Sequence, residues 1–322
     1  MKTHIIAMLA VLLILAGASS TAGATTYFYY DAEDGTVGDP LPNPETGGGP
    51  NFWPCCPDEA KRGTVQSSGG AAQGLRYFQW QTVDNQGDAY NTVRDRATFN
   101  ITSLQGRTFY LAHFERFDRI DGRDVWHECT SCQSADKGVE LEGAGVRWLV
   151  GRGQWTNHAA NQDHRWTLLA GNPTYHMNRD VAGCPVLEVH DNYLQNSSGY
   201  GPGNPIQLDY ERWYAVVMQV TMNTFTGGTP NANGTFRVWL DGEIVYDYSG
   251  ICTLANENGF IEQISIGGTI AQGAYDAPAH LRKFDRLLLT DNWQDIVDGG
   301  YLRSPGNGDS LAPAAPTNLT VQ

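Results

Sequence analysis

Positive charge is scarce in this sequence. Of 322 residues only 21 are Lys or Arg, against 35 Asp or Glu, for a formal net charge of −14. That balance argues against a nucleic-acid partner, because no basic stripe exists to neutralise phosphates. An anionic membrane surface is excluded on the same ground. Charge of either sign is thin, at 17% of residues, below the usual quarter. Helical patterning is missing as well: no long window keeps apolar residues at i, i+3 and i+4 without a Gly or Pro interruption. There is no Gly-x-Ser-x-Gly elbow, Walker loop, dinucleotide fingerprint or His-Glu-x-x-His pair, which sets aside the chemistries those motifs carry. What is abundant is 37 Gly, 15 Tyr and 9 Trp. A globular, turn-rich chain follows, and disorder, coiled coil and collagen do not.

The start of the chain points to export. Lys2 is followed by the apolar run Ile5 to Ala16 and by the small residues Ala22-Gly23-Ala24. This reads as a secretory leader over residues 1–24, too short an apolar run for a bilayer span of about 20 residues. A mature chain from Thr25, secreted or periplasmic and without a membrane span, is expected. Cys55, Cys56, Cys129, Cys132, Cys184 and Cys252 then read as disulfide partners in an oxidising compartment; six cysteines allow 15 pairings, and sequence does not choose among them. The alternative of a zinc site at His127, Cys129 and Cys132 lacks a fourth ligand.

Strand signals recur along the whole chain. Phe109 to Phe117 is aromatic and β-rich, and Val139–Glu142 and Val146–Val150 flank the turn Gly143-Ala144-Gly145. Between Trp213 and Asn223 the period is two: Tyr214, Val216, Met218, Val220 and Met222 share one face, and Gln219, Thr221 and Asn223 the other. Asp241-Gly242 between Phe236–Leu240 and Glu243–Tyr246 is a strong hairpin signal. Short strands, turn punctuation and little helix predict an all-β jelly-roll sandwich of two antiparallel sheets. The domain is expected over residues 25–303, with a turn-rich linker from Ser304. Ala312 to Val321 resembles the opening of a fibronectin type III module, which implies further modules in a longer parent chain.

Three segments carry a wider resemblance: Phe109–Arg119, the pair Trp213–Asn223 with Phe236–Gly242, and the closing Lys283-Phe284-Asp285-Arg286-Leu287-Leu288-Leu289. In this order they resemble the concanavalin A-like lectin/glucanase superfamily, nearest to heparin-lyase-like and alginate-lyase-like polysaccharide lyases. The resemblance implies glycan binding on a concave sheet. It is partial at the motifs. Where alginate-lyase-like strands carry Arg-x-Glu-x-Arg, this chain has His113, Glu115 and Arg119, with Arg116 and Asp118 on the opposite face. Superfamily members also pair their first and last strands, which would bring Asp285 beside Asp31, Glu33 and Asp34. Such carboxylates suit a structural calcium; no other cofactor is required.

A β-elimination site needs a cation or amide for the uronate carboxylate, a base for the sugar C–H proton and an acid for the leaving oxygen. The candidates are His113 or His164 as base, Tyr175 or Tyr210 as acid, and Arg116 or Arg147 at the carboxylate. Glu115, His127, Trp148, Trp155, His158, Trp166, His176 and Gln219 supply stacking faces and hydrogen bonds for a polysaccharide. The leading expectation is a polysaccharide lyase. The alternatives are a non-catalytic carbohydrate-binding module, or a glycoside hydrolase using Glu140 and Glu142. All three require alternation to gather these groups in one hollow.

Overall fold

The computed structural model describes residues 25–39, 64–67, 70–81, 96–104, 108–118, 134–143, 146–154, 166–173, 188–189, 206–254, 257–267, 269–271 and 281–303. The first strands are β1 (Thr26–Tyr30), β2 (Thr64–Gln66), β3 (Tyr77–Gln81), β4 (Arg96–Leu104), β5 (Thr108–Asp118) and β6 (Ser134–Gly143). Then come β7 (Val146–Gln154), β8 (Trp166–Pro173), β9 (Glu188–Val189), β10 (Ile206–Leu208), β11 (Tyr214–Thr221) and β12 (Phe225–Thr226). The chain continues through β13 (Thr229–Pro230), β14 (Gly234–Leu240), β15 (Glu243–Ile251), β16 (Ile261–Gly267), β17 (Thr269–Ala271) and β18 (Leu281–Thr290), and then a short helix, α1 (Trp293–Asp298).

Two eight-stranded sheets hold nearly all of these strands. The first runs β15-β14-β11-β5-β18-β3-β2, with β1 also on β18; the second runs β10-β8-β7-β6-β16-β4, with β17 on β6 and β9 on β8. Apart from the parallel pair β8–β9, neighbours are antiparallel. β1 lies against β18, with Thr26 opposite Thr290, so the first and last strands do pair.

Alternation explains the layers. Tyr214, Val216, Met218 and Val220 of β11 join Phe109, Leu111 and Phe117 of β5, Phe284 of β18, and Leu141, Leu208, Ile264 and Ile266 of the second sheet in one buried cluster. A cluster drawing on both sheets makes this a sandwich, about 10 Å thick in such packings. The all-β jelly-roll class follows. On the other face of the first sheet, Tyr110, Ala112, Phe114, Ala215, Val217 and Trp239 pack against Ile296 of α1 and against Tyr301 and Leu302 beyond it. The middle of the first sheet is therefore packed on both faces, and its central strand β5 is buried nearly end to end.

The Asp241-Gly242 hairpin forms as expected between Leu240 and Glu243. Both turn residues have positive φ, 52° and 86°, as a type I′ turn requires. The Asp241 carboxylate also accepts from the Ala215 N–H at 2.8 Å and takes Arg212 at 2.6 Å, tying the turn to β11. Asn223 is a second anchor, buried just past β11. Its side-chain oxygen accepts the Thr253 and Leu254 N–H groups at 2.9 and 2.6 Å. Asn223→Ala strands two amide donors and is expected to cost about 2–3 kcal/mol, read as a lower urea midpoint at unchanged slope.

Candidate functional site

The first sheet separates the groups expected to work together. On β5, His113 and Glu115 fall on the face of Leu111 and Phe117, turned to the other sheet, and are 2% and 0% exposed. The His113 Nε2 stands 3.7 Å from the Glu115 carboxylate, and its ring lies 5.7 Å from that of Phe284. Arg282, on neighbouring β18, is likewise fully buried. A glycan reaches none of these without parting the sheets, so His113 as base and Glu115 as a sugar contact are corrected. Alternation grouped them properly. What it did not tell is that this face is the dry one.

Arg116 and Gln219 occupy the opposite face of the same sheet. Arg116 is held by Asp118, Nε to Oδ1 at 2.5 Å, and Asp118 also receives Lys283 Nζ at 2.7 Å. Gln219 is 4% exposed, in register with Tyr110 and Arg237. Tyr210, in the turn before β11, packs partly buried against the inter-sheet core. Arg116, Gln219 and Tyr210 thus do not share a hollow with His113.

The second sheet has a different character. Leu141, Ile264 and Ile266 turn one face to the core; the positions between them define the far face. Across that face the register gives a row Asn100–Gln263–Glu142–Arg147 and a row Thr98–Ser265–Glu140–Leu149–Gly171. Amide, hydroxyl, carboxylate and guanidinium residues line up across four adjacent strands, and the one described α-helix lies on the other sheet. Arg147, Glu140 and Glu142 belong here. Trp148 and Trp166 do not: they are register partners of the core residues Leu141 and Leu208, so their positions fall on the core face. Gln263, Ser265, Thr98 and Asn100 were not singled out from sequence, although Gln263 and Ser265 alternate visibly with Ile264 and Ile266.

His127, Trp155, His158, His164, Tyr175 and His176 lie outside the described residues, as do Cys55, Cys56, Cys129, Cys132 and Cys184. Cys252 is disulfide-bonded.

The acidic group near β1 is built around protein donors. Glu33 Oε1 accepts the Leu75 and Arg76 N–H groups, each at 2.5 Å. Asp31 accepts the Glu33 N–H at 3.1 Å and the Tyr29 hydroxyl at 2.7 Å, with Arg286 Nε 3.4 Å away. Asp34 is exposed. Asp285, 1% exposed, accepts the Ala72 and Gln73 N–H groups at 3.1 and 3.0 Å. Burial pushes its carboxyl up to about 7, against those amides, which favour the ionised form. Among the described residues, no group of three or more His, Cys, Asp or Glu is arranged to hold a metal ion, and no helix is long and apolar enough to cross a membrane.

No protein-family model and no curated protein matches this sequence. Among solved structures the chain is similar to an endo-β-1,4-glucuronan lyase from the fungus Trichoderma reesei, at 13% identity and TM-score 0.47, covering 88% of this chain and 99% of that one. It is also similar to an alginate lyase from Aplysia kurodai, at 12% identity and TM-score 0.44 over 83% and 99% of the two chains. A third is an alginate lyase from a Chlorella virus, at 13% identity and TM-score 0.43 over 71% and 88%.

Proposed function

We propose that this is an exported, polysaccharide-active protein that receives its glycan across the far face of the second sheet, with lyase-type β-elimination as its chemistry. One observation carries the reading. The second sheet backs its apolar side onto the core and sets two polar rows on its far side, whereas the middle of the first sheet is packed on both faces. Rows of amide and hydroxyl residues at a strand spacing of about 4.8 Å suit a polymer rich in hydroxyls. Arg147 is the one cationic position in those rows and is assigned to the uronate carboxylate. His164 as base and Tyr175 as acid lie outside the described residues and stay candidates from the sequence alone.

Glu140 and Glu142 support a second reading, glycoside hydrolysis. They share the far face two positions apart, near the separation retaining hydrolysis uses, about 5–5.5 Å.

One assay separates the outcomes. The full chain is incubated with a panel of uronate-containing and neutral polysaccharides, and both unsaturated-uronide absorbance and reducing ends are followed. Absorbance with reducing ends, falling at least about tenfold in Arg147→Ala, supports the lyase. Reducing ends alone, lost in Glu140→Gln, give the hydrolase. Retention on the glycan with neither product gives a binding module. An unreactive, unretained protein overturns the polysaccharide reading.

A further inference from the structure

The outer face of the first sheet is only partly covered by α1. Beyond the helix two further rows run across four strands. One is Tyr110–Gln219–Arg237–Asp247, the other Thr108–Thr221–Thr235–Ser249, each in register from β5 through β11 and β14 to β15. They share the face of Ala112, Val217 and Trp239. The rows are knitted together: Thr108 and Thr221 hydroxyls stand 2.9 Å apart, Gln219 Nε2 donates to Thr221 Oγ1 at 3.2 Å, and Arg237 Nε donates to Asp247 at 2.6 Å.

An aromatic wall bounds this shelf. Trp293, the first residue of α1, lies 5.3 Å from the Tyr110 ring and 5.1 Å from that of Trp239. At the seam two buried polar atoms lack hydrogen-bond partners, Gln219 Oε1 and Trp293 Nε1. Buried polar atoms are rarely left so. One is an acceptor and the other a donor, and a hydroxyl can partner either kind.

We propose that this shelf is a second glycan-binding site, distinct from the far face of the second sheet, that holds an uncharged, hydroxyl-rich stretch of polysaccharide. Its chemistry selects that occupant. Arg237 and Asp247 neutralise each other, so the shelf offers no net charge to a uronate carboxylate. Hydroxyls and one amide supply donors and acceptors, and the indoles supply an apolar wall against which a sugar C–H face packs. A protein partner would call for a contiguous apolar patch. The large apolar side chains exposed among the described residues are Tyr29, Val37, Leu75 and Ile244, and of these only Ile244 belongs to the four strands. The site rests on the glycan reading for its class of ligand and not for its location, and the two faces fail separately.

Affinity electrophoresis of the full chain through gels holding xylan, a soluble mixed-linkage β-glucan, laminarin or alginate tests this. Retardation by at least one neutral glycan is expected, with the apparent affinity falling at least fivefold in Thr221→Val/Thr235→Val. That double variant keeps side-chain shape and leaves the far-face residues intact. Gln219→Leu should weaken retardation similarly, and the glycan-induced change in tryptophan fluorescence should shrink in Trp293→Phe. Arg147→Ala should retain neutral-glycan retardation even where product formation is lost. The shelf is overturned if no neutral glycan retards the wild type, or if the double Thr variant binds as the wild type does. It is equally overturned if Arg147→Ala alone abolishes binding.

Discussion

Glu115→Ala is expected to cost about 3–5 kcal/mol, as removal of one partner from a buried charged group does. Glu115 sits on the central strand of the first sheet at 0% exposure, with His113 3.7 Å away. Its register partner on β18 is Phe284, and Arg282, equally buried, lies two residues along on the same face. Deleting the carboxylate takes away the acceptor beside His113 in an apolar, water-free layer. Urea unfolding should show a lower midpoint with little change in slope. The triple variant His113→Leu/Glu115→Leu/Arg282→Met is the counterpart. It removes every polar group of the set and should fall within about 1 kcal/mol of the wild type or exceed it, since buried ion pairs are often replaceable by packed apolar residues. A cost below about 1 kcal/mol for Glu115→Ala alone would mean that the carboxyl carries no charge in the folded protein.

Asp285→Asn should change how stability depends on pH. Burial raises the folded-state carboxyl from 3.8 to about 7, with Asp31 adding to the rise and Arg286 and the amides of Ala72 and Gln73 opposing it. The folded state therefore binds this proton more tightly than the unfolded one. The stabilisation is complete below about pH 4, declines as pH climbs towards 7, and is gone above. At about 1.4 kcal/mol per unit, the wild type should lose about 2–3 kcal/mol between pH 5 and 8 through this group alone. Asparagine keeps an oxygen for both amides and has nothing to ionise. Thermal or urea unfolding of the two proteins at pH 5 and pH 8 should therefore give a gap that shifts by that amount in favour of the variant. Parallel profiles would show that Asp285 ionises normally.

Much of the architecture was readable because local rules and tertiary packing agree. The strict alternation of Tyr214, Val216, Met218 and Val220 reached the core intact, and Asp241-Gly242 took the turn its residues prefer. The site was harder. On β5 alternation grouped His113 with Glu115 and Arg116 with Asp118, but α1 and residues 299–302 cover the outer face while the second sheet covers the inner one. In a doubly covered strand, a polar residue no longer marks the wet side. Trp148 and Trp166 pose a related problem: a strand tryptophan fits a core as well as a sugar, and their register opposite Leu141 and Leu208 cannot be read along the sequence. β2, at three residues, was too short to show a period. Asp285 was singled out for its charge, yet its surroundings come from the distant segment 70–76 and are invisible along the sequence.

The position of β18 has a consequence for how the chain reaches this state. It pairs with β1, β3 and β5, all made long before it. Until residue 290 has been delivered, β1 lacks its partner, and the β2–β3 pair and the β5–β11 pair have no strand to join them. Such distant pairings make commitment late and slow, so the nascent polymer remains threadable for most of its journey and locks in a closing stroke.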